Sequence, residues 1–251
     1  MDMSMNIIAI IISAVFAYLV GNVQMSILIS HAKHDDIRTH GSGNAGSTNM
    51  VRVYGLKYGL ITLFGDIAKS FIAVSVAKWA IPLLPNVTAP YADLCIYIAG
   101  FFTVLGHNFP VFFGFRGGKG VAASLASVWA VFGMCNGDWI IPILTTVLGV
   151  GLIVVTGIVS LGSLFGTAVS FVSALLVYAP QNNISACLLA FSIFTLIFLR
   201  HTKNIVRIIH GEEKKLFKSK KDNAEKSSTT DSVQAEQNET EHASQSNQLS
   251  K

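Results

Sequence analysis

Long apolar stretches, separated by short polar loops, fill most of this chain. Crossing a hydrocarbon core about 30 Å thick takes about 20 apolar residues, because each helical residue rises about 1.5 Å. The stretches 6–29, 58–81, 92–105, 139–157 and 158–178 meet this pattern and predict spanning helices. Two more, 121–135 and 184–199, are short, so they borrow flanking residues or tilt little. The pattern predicts an all-α integral membrane protein, a bundle of about seven transmembrane helices. Its first segment carries only Asp2 ahead of the apolar run, lacking the basic start and clean cleavage site of a secretory signal. It is expected to stay as a helix, with the N-terminus outside.

Basic residues then sort by loop. Lys33, Arg38, Arg52 and Lys57 follow the first span, Arg116 and Lys119 the third, and Arg200, Lys203 and Arg207 the last. The intervening connections at 82–91, 136–138 and 180–183 contain no Lys or Arg. By the positive-inside rule the three basic loops are cytoplasmic. From Lys214 onward the chain turns polar, first Lys-rich and then rich in Ser, Thr, Gln, Asn and Glu. Such a segment cannot bury enough apolar surface to offset chain entropy. The expected organisation is a membrane domain over residues 1–213 and a disordered, polar cytoplasmic tail over 214–251.

Composition agrees with this partition: 51% of the 251 residues are hydrophobic, 13% are charged, and the mean hydropathy is +0.54. A soluble domain is about a quarter charged, so there is too little charge here to coat one. The formal charge of +4 resides largely in the loops and tail, which suits anionic headgroups or phosphorylated substrates better than nucleic acid. Cys95, Cys135 and Cys187 have no metal or redox spacing and read as small packing residues. No His or carboxylate cluster has ligand spacing either, so neither metal nor cofactor is expected.

Three loops carry candidate chemistry. The first contains His40-Gly41-Ser42-Gly43-Asn44-Ala45-Gly46-Ser47-Thr48-Asn49 and then Arg52. Glycines let consecutive N–H groups converge on an anion, hydroxyl and amide side chains add donors, and the guanidinium fork fits phosphate oxygens. A flexible polar turn is the alternative. Gly41, Gly43 and Gly46 match a dinucleotide fingerprint, but the preceding His34-Asp35-Asp36-Ile37-Arg38 is no buried strand, which excludes that reading. His31 and Asp36 have the H-x4-D spacing of soluble-type acyltransferases, or simply belong to a solvated loop. In the second loop, Gly106-His107-Asn108 leads to Phe115-Arg116-Gly117-Gly118-Lys119-Gly120 and then an apolar helix. This places Lys119 near a helix start, where free N–H groups favour anions. Phe113 and Gly120 occupy positions where a Walker A loop requires Gly and Ser or Thr. In the third, Arg200, Asn204 and Arg207 share helical spacing, as do His201 and Asn204. An ordinary basic juxtamembrane helix would look the same. Within the second span, Asp66 and Lys69 are three apart and can pair, as a functional site or as a structural ion pair.

Taken together, GSGNAGSTNMVR, GHNFPVFFGFRGGKGVA and RHTKNIVRIIHGEE, in this order, resemble the bacterial acyl-phosphate:glycerol-3-phosphate acyltransferase family over roughly residues 15–215. The resemblance implies a cytoplasm-facing active site in a bacterial plasma membrane. It also implies acyl transfer from acyl phosphate to glycerol 3-phosphate, giving 1-acyl-glycerol 3-phosphate and phosphate, the first acylation of phospholipid synthesis. Ser42, Arg52 and Lys119 would bind phosphate, helped by Gly43, Asn44, Ser47, Thr48, Asn49, His107, Arg116, Gly117, Gly118, Gly120, Arg200 and Arg207. His201, Asn204 and Glu213 would complete the catalytic set. The base could be His201, Glu213 or the substrate's own phosphate. Ala45 departs from the usual Pro, Ser47 from Ala or Thr, and Arg116 from the frequent Lys. A competing class, a transporter for a phosphorylated anion, would also place cations near the membrane, but no inverted repeat is visible.

Overall fold

The computed structural model describes residues 3–216 of the chain. Among these residues the structure is helical, with no strand. Ten α-helices follow one another: α1 Met3–Gly21, α2 Met25–Ala32, α3 Ser47–Tyr54, α4 Leu56–Trp79 and α5 Ala89–Asn108. Then come α6 Val121–Val128, α7 Ile140–Thr156, α8 Val159–Tyr178, α9 Ile184–Arg200 and α10 Thr202–Ile209. A π-helical segment, Trp129–Cys135, continues α6. The described residues up to Lys214 form one compact unit. The expected disorder of the tail falls almost entirely outside the described residues.

All seven expected apolar segments are helical, but they are not equivalent. Met3–Ala32, Leu56–Leu83, Ala89–Phe113 and Val159–Tyr178 are long and apolar enough to cross a membrane, and Ile184–Arg200 with Thr202–Ile209, bent by 64°, makes a fifth. Val121–Cys135 and Ile140–Thr156 are shorter apolar helices. So seven apolar helical segments are present, of which four or five have full spanning length.

Large apolar side chains face outward, as a lipid solvent allows: Ile8, Ile12, Val15 and Leu19 of α1 are exposed. The inward face of α1 is Asn6, Ala9, Ser13, Ala17 and Gly21, nearly all small and about four apart. Lipid tails are as apolar as Leu, so helices associate through close packing and polar contacts, which small residues permit. Against α5 this approach is tight: a Cβ on Gly21 would lie 2.3 Å from the Thr103 carbonyl oxygen, and one on Gly106 2.2 Å from that of Tyr18. Ser13 Oγ also donates to the Cys95 carbonyl at 2.9 Å. Further hydroxyls tie the interior together, Ser70 to the Ala123 carbonyl and Ser127 to that of Gly100.

Two boundaries differ from the sequence expectation. The first span breaks after Gly21, because Gln24 turns inward and donates to the His107 carbonyl at 2.9 Å. The third span begins three residues earlier and runs on to Asn108, so His107 and Asn108 are helical and buried instead of lying in a loop. The three cysteines are free thiols and Cys95 is buried, in keeping with a packing role.

Candidate functional site

The three polar loops converge at one end of the bundle. Asp36 grips Arg38 through a 2.7 Å ion pair, and the same guanidinium donates to the Phe113 carbonyl at 2.9 Å, joining the first loop to the second. This engages Asp36 with Arg38; His31 is exposed and lies edge-on to Phe113. Gly41 and Gly43 adopt left-handed φ of 62° and 69°. Asn49 clips the resulting turn: its Oδ1 accepts from the Ser42 N–H at 2.9 Å and its Nδ2 donates to the Ile37 and His40 carbonyls. Ser42 and Gly43 are exposed at the turn, Asn44, Ser47 and Thr48 are half-buried, and α3 starts at Ser47. One turn on, exposed Arg52 reaches the Lys214 carbonyl at 3.4 Å.

The second and third loops are knit more closely. Gly117 and Gly118 are buried, and the Gly118 N–H donates to the His107 carbonyl at 3.2 Å. Arg200 grips this glycine pair from the other side, donating to the Gly117 carbonyl at 3.1 Å and the Gly118 carbonyl at 3.0 Å while stacking on Phe109. Gly120 takes φ +81° at the cap of α6, a left-handed conformation that suits glycine. Lys119, held between them, donates to Asn204 Oδ1 at 2.6 Å.

Glu213 is the hub of the third loop. Its Oε1 accepts from Asn204 Nδ2 at 2.6 Å and Ser160 Oγ at 2.5 Å, and its Oε2 from Arg207 Nε at 2.6 Å. Burial alone would raise its pKa, but these hydrogen bonds outweigh burial and hold the carboxylate below the usual glutamate range. The Lys119 pKa is lowered as well, but there burial wins and disfavours the charged form. Burial pushes its ammonium down to about 8, Glu213 opposes that, and Arg207, Arg52 and Arg200 add to it. Lys119 thus feels three guanidiniums and one carboxylate.

His201 sits at the bend between α9 and α10, 2% exposed. Its Nδ1 lies 2.8 Å from the Ile197 carbonyl, an oxygen that can only accept, so Nδ1 carries the proton and Nε2 keeps a free lone pair.

Not every expected residue joins this cluster. Arg116 is exposed and makes no ion pair among the described residues. His107 is buried in a separate contact with Asp66 and Lys69. The bend of 64° also divides the expected Arg200–Asn204–Arg207 face: Arg200 serves the glycine pair, Asn204 and Arg207 serve Glu213. Ser160 was not legible at all. It is one serine among several in an apolar segment, and only the tertiary contact with Glu213 distinguishes it.

Beneath the polar cluster, α6, α7, α8 and α9 line a largely apolar, partly open cavity of about 100 Å³. Val121, Ile153 and Gly162 line one end, and Val128, Thr145 and Ser170 the other. Val121 follows Lys119 by two positions and Gly162 follows Ser160 by two, so the charged groups rim the cavity mouth.

Comparison with known proteins gives this arrangement a context. The family model for glycerol-3-phosphate acyltransferase matches residues 11–211. The glycerol-3-phosphate acyltransferase of Clostridioides difficile (strain 630) is 37% identical over 217 residues, spanning 86% of this chain and all of that protein. That of Aquifex aeolicus (strain VF5) is 34% identical over 199 residues, 79% of this chain and 95% of the relative. The crystal structure of an integral membrane glycerol 3-phosphate acyltransferase, in a glycerol 3-phosphate form, superposes with a TM-score of 0.70 at 32% identity, covering 82% of this chain and 94% of that one. Its lysophosphatidic acid form gives a TM-score of 0.67. With matching extent, fold and a cation-rimmed cavity, the chain belongs to the glycerol-3-phosphate acyltransferase family and is an integral membrane enzyme.

Proposed function

We propose that this enzyme transfers a fatty acyl group from acyl phosphate to glycerol 3-phosphate, releasing phosphate and 1-acyl-sn-glycerol 3-phosphate. The observation that carries the reading is Lys119 and three guanidiniums grouped with one carboxylate at the mouth of an apolar cavity. An acyl phosphate has the matching anatomy, an anionic head on an apolar tail. Each phosphate group carries close to two negative charges, so two of them would balance this excess of cations. Tail methylenes entering the cavity would each contribute about 0.8 kcal/mol.

In this reading Ser42, Gly43, Asn44, Ser47, Thr48 and Arg52 receive one phosphate, with Asn49 holding the turn in shape. Lys119, flanked by Gly117, Gly118 and Gly120, receives the other. The glycerol hydroxyl oxygen adds to the acyl carbonyl carbon, and the carbonyl oxygen takes up the charge. Collapse of that intermediate breaks the bond to the phosphate oxygen, which leaves with its electron pair. Phosphate is already a good leaving group, so positioning and electrostatics do most of the work. Glu213, saturated by three donors, is a poor base. His201 Nε2 is the better acceptor for the hydroxyl proton, with Asn204 and Glu213 fixing Lys119 beside it.

Three basic loops meeting at one end fit a cytoplasmic site in a bacterial plasma membrane, with the N-terminus outside and the C-terminus inside, and a membrane domain over residues 1–213 followed by a tail. The donor is tested by giving purified protein labelled glycerol 3-phosphate with acyl phosphate, acyl-coenzyme A or acyl carrier protein. Lysophosphatidate from acyl phosphate alone is the expected result. Transfer only from a thioester donor would overturn the reading.

A further inference from the structure

We propose that Asp66, Lys69 and His107 form a buried positioning relay that fixes the Gly117–Gly118 segment and so aims Lys119. None of the three joins the Glu213 cluster, yet all are nearly excluded from solvent, with exposures of 2%, 4% and 3%. Charged groups at such depth in a membrane bundle are costly. A buried pair is weak evidence of stability, since apolar replacements are often as stable or more so. Its role lies in what the pair touches.

The ammonium of Lys69 is held by three neighbours. It donates to the Val23 carbonyl in the break between α1 and α2 at 2.8 Å, lies 2.8 Å from His107 Nδ1, and is ion-paired with Asp66 Oδ1 at 2.9 Å. An ammonium can only donate, so Nδ1 accepts and the ring is held in one orientation. The opposite ring nitrogen, Nε2, then lies 2.2 Å from where a Cβ on Gly118 would be, so the ring forms the wall against which Gly118 rests. The backbone of His107 acts on the same loop. It belongs to the last turn of α5, where carbonyls lack intrahelical partners. This carbonyl accepts the Gly118 N–H at 3.2 Å and the Gln24 amide at 2.9 Å. Ring and carbonyl therefore fix Gly118 from below while Arg200 grips its carbonyl from above. Lys119 is the next residue, and its ammonium donates to Asn204 Oδ1 at 2.6 Å.

The relay acts through Lys119, so it rests on the phosphate-binding role proposed for that residue. The informative variant is the charge-free double Asp66→Leu/Lys69→Met, which removes both charges and leaves no lone ion buried. A merely structural pair predicts that this protein folds, inserts and turns over like wild type. Positioning predicts normal insertion and thermal unfolding, but kcat lowered tenfold or more because the His107 ring has lost its anchor. A cycle with Lys119→Arg adds the second readout. If the relay works by aiming Lys119, the double variant lowers kcat much less in the Lys119→Arg background than in wild type. Equal losses in both backgrounds, or wild-type kcat in the double variant, overturn the proposal. Should the double variant fail to insert, His107→Gln decides, since it leaves the ion pair intact. There kcat is expected to fall at least tenfold with assembly preserved, and an unchanged kcat overturns the relay. Full activity in Lys119→Arg and Lys119→Ala by themselves would instead refute the binding role of Lys119, a separate outcome.

Discussion

Replacing Gly118 by Ala isolates loop position from charge. The backbone there is not left-handed, so alanine meets no conformational penalty of its own; the obstacle is space. A Cβ would sit 2.2 Å from His107 Nε2 and 2.7 Å from the Ala45 carbonyl oxygen. Both neighbours are buried. The His107 ring is held by Lys69 and the Ala45 oxygen belongs to the main chain, so neither can swing aside as a flexible chain end would. Carbon and oxygen or nitrogen need more than 3 Å, so the loop must shift by about 1 Å, weakening the bonds from the Gly118 N–H to His107 and from Arg200 to the Gly118 carbonyl. A displacement of that size in a positioning element costs about a hundredfold in rate. The assay is steady-state acyl transfer at saturating glycerol 3-phosphate, with membrane yield as the control for folding. Gly114→Ala is the comparison: φ is +66° and nothing lies within 4 Å, so it carries a conformational cost of about 1–2 kcal/mol without displacing Lys119. Activity should survive in that protein. Wild-type kcat in Gly118→Ala would refute the account of the loop as a tightly packed cradle.

Three other outcomes follow from the same geometry. Burial pushes Lys119 down to about 8, and under the proposed role it binds phosphate as the ammonium, so kcat/KM should fall as pH rises through about 8; in Lys119→Arg, which stays charged far above that, the falling limb should disappear from a lower plateau, and an unchanged limb would exclude Lys119 as its source. Arg52→Lys keeps the charge but loses the paired hydrogen bonds, so kcat/KM at subsaturating glycerol 3-phosphate should drop roughly tenfold to a hundredfold, whereas an unaffected value would mark Arg52 as an anchoring charge. Ser160→Ala removes one of three donors to Glu213 and should lower kcat about tenfold without changing membrane yield; full activity would show that Asn204 and Arg207 suffice.

How much of this was legible depended on whether the signal was local. Apolar runs are local, and all seven apolar segments are helical near the expected residues. The third apolar run ends at Leu105 because His107 and Asn108 are polar, and polarity alone marks the start of a loop. In the structure their side chains turn into the bundle, where Lys69 serves His107. Asn49 was read with its neighbours as a phosphate donor, yet its amide is spent on Ser42, Ile37 and His40. Residue type announced hydrogen bonding but not the partner. Ser160 had no local signal whatever, since its importance lies entirely in meeting Glu213 across 53 positions.

The placement of chemistry at a cavity mouth follows from helix order more than from any single residue. α6 and α8 are separated by one returning helix, α7, so both must begin at the same end of the bundle. Gly157, left-handed at φ +73°, makes the reversal into α8 short. Two parallel helices starting side by side place two sets of free N–H groups, and two positive dipole ends, at one rim. Lys119 precedes the first of these helices and Ser160 lies in the opening turn of the second. Below the rim, Val121, Leu125 and Val128 of the first helix and Gly162, Gly166 and Ser170 of the second line the cavity. A substrate with an anionic head and an apolar tail can then satisfy both environments only if the junction between them, the acyl carbonyl, lies at the rim. There the Lys119–Asn204–Glu213 chain and His201 already converge, so the partition of the substrate between two solvents itself performs part of the alignment that acyl transfer requires.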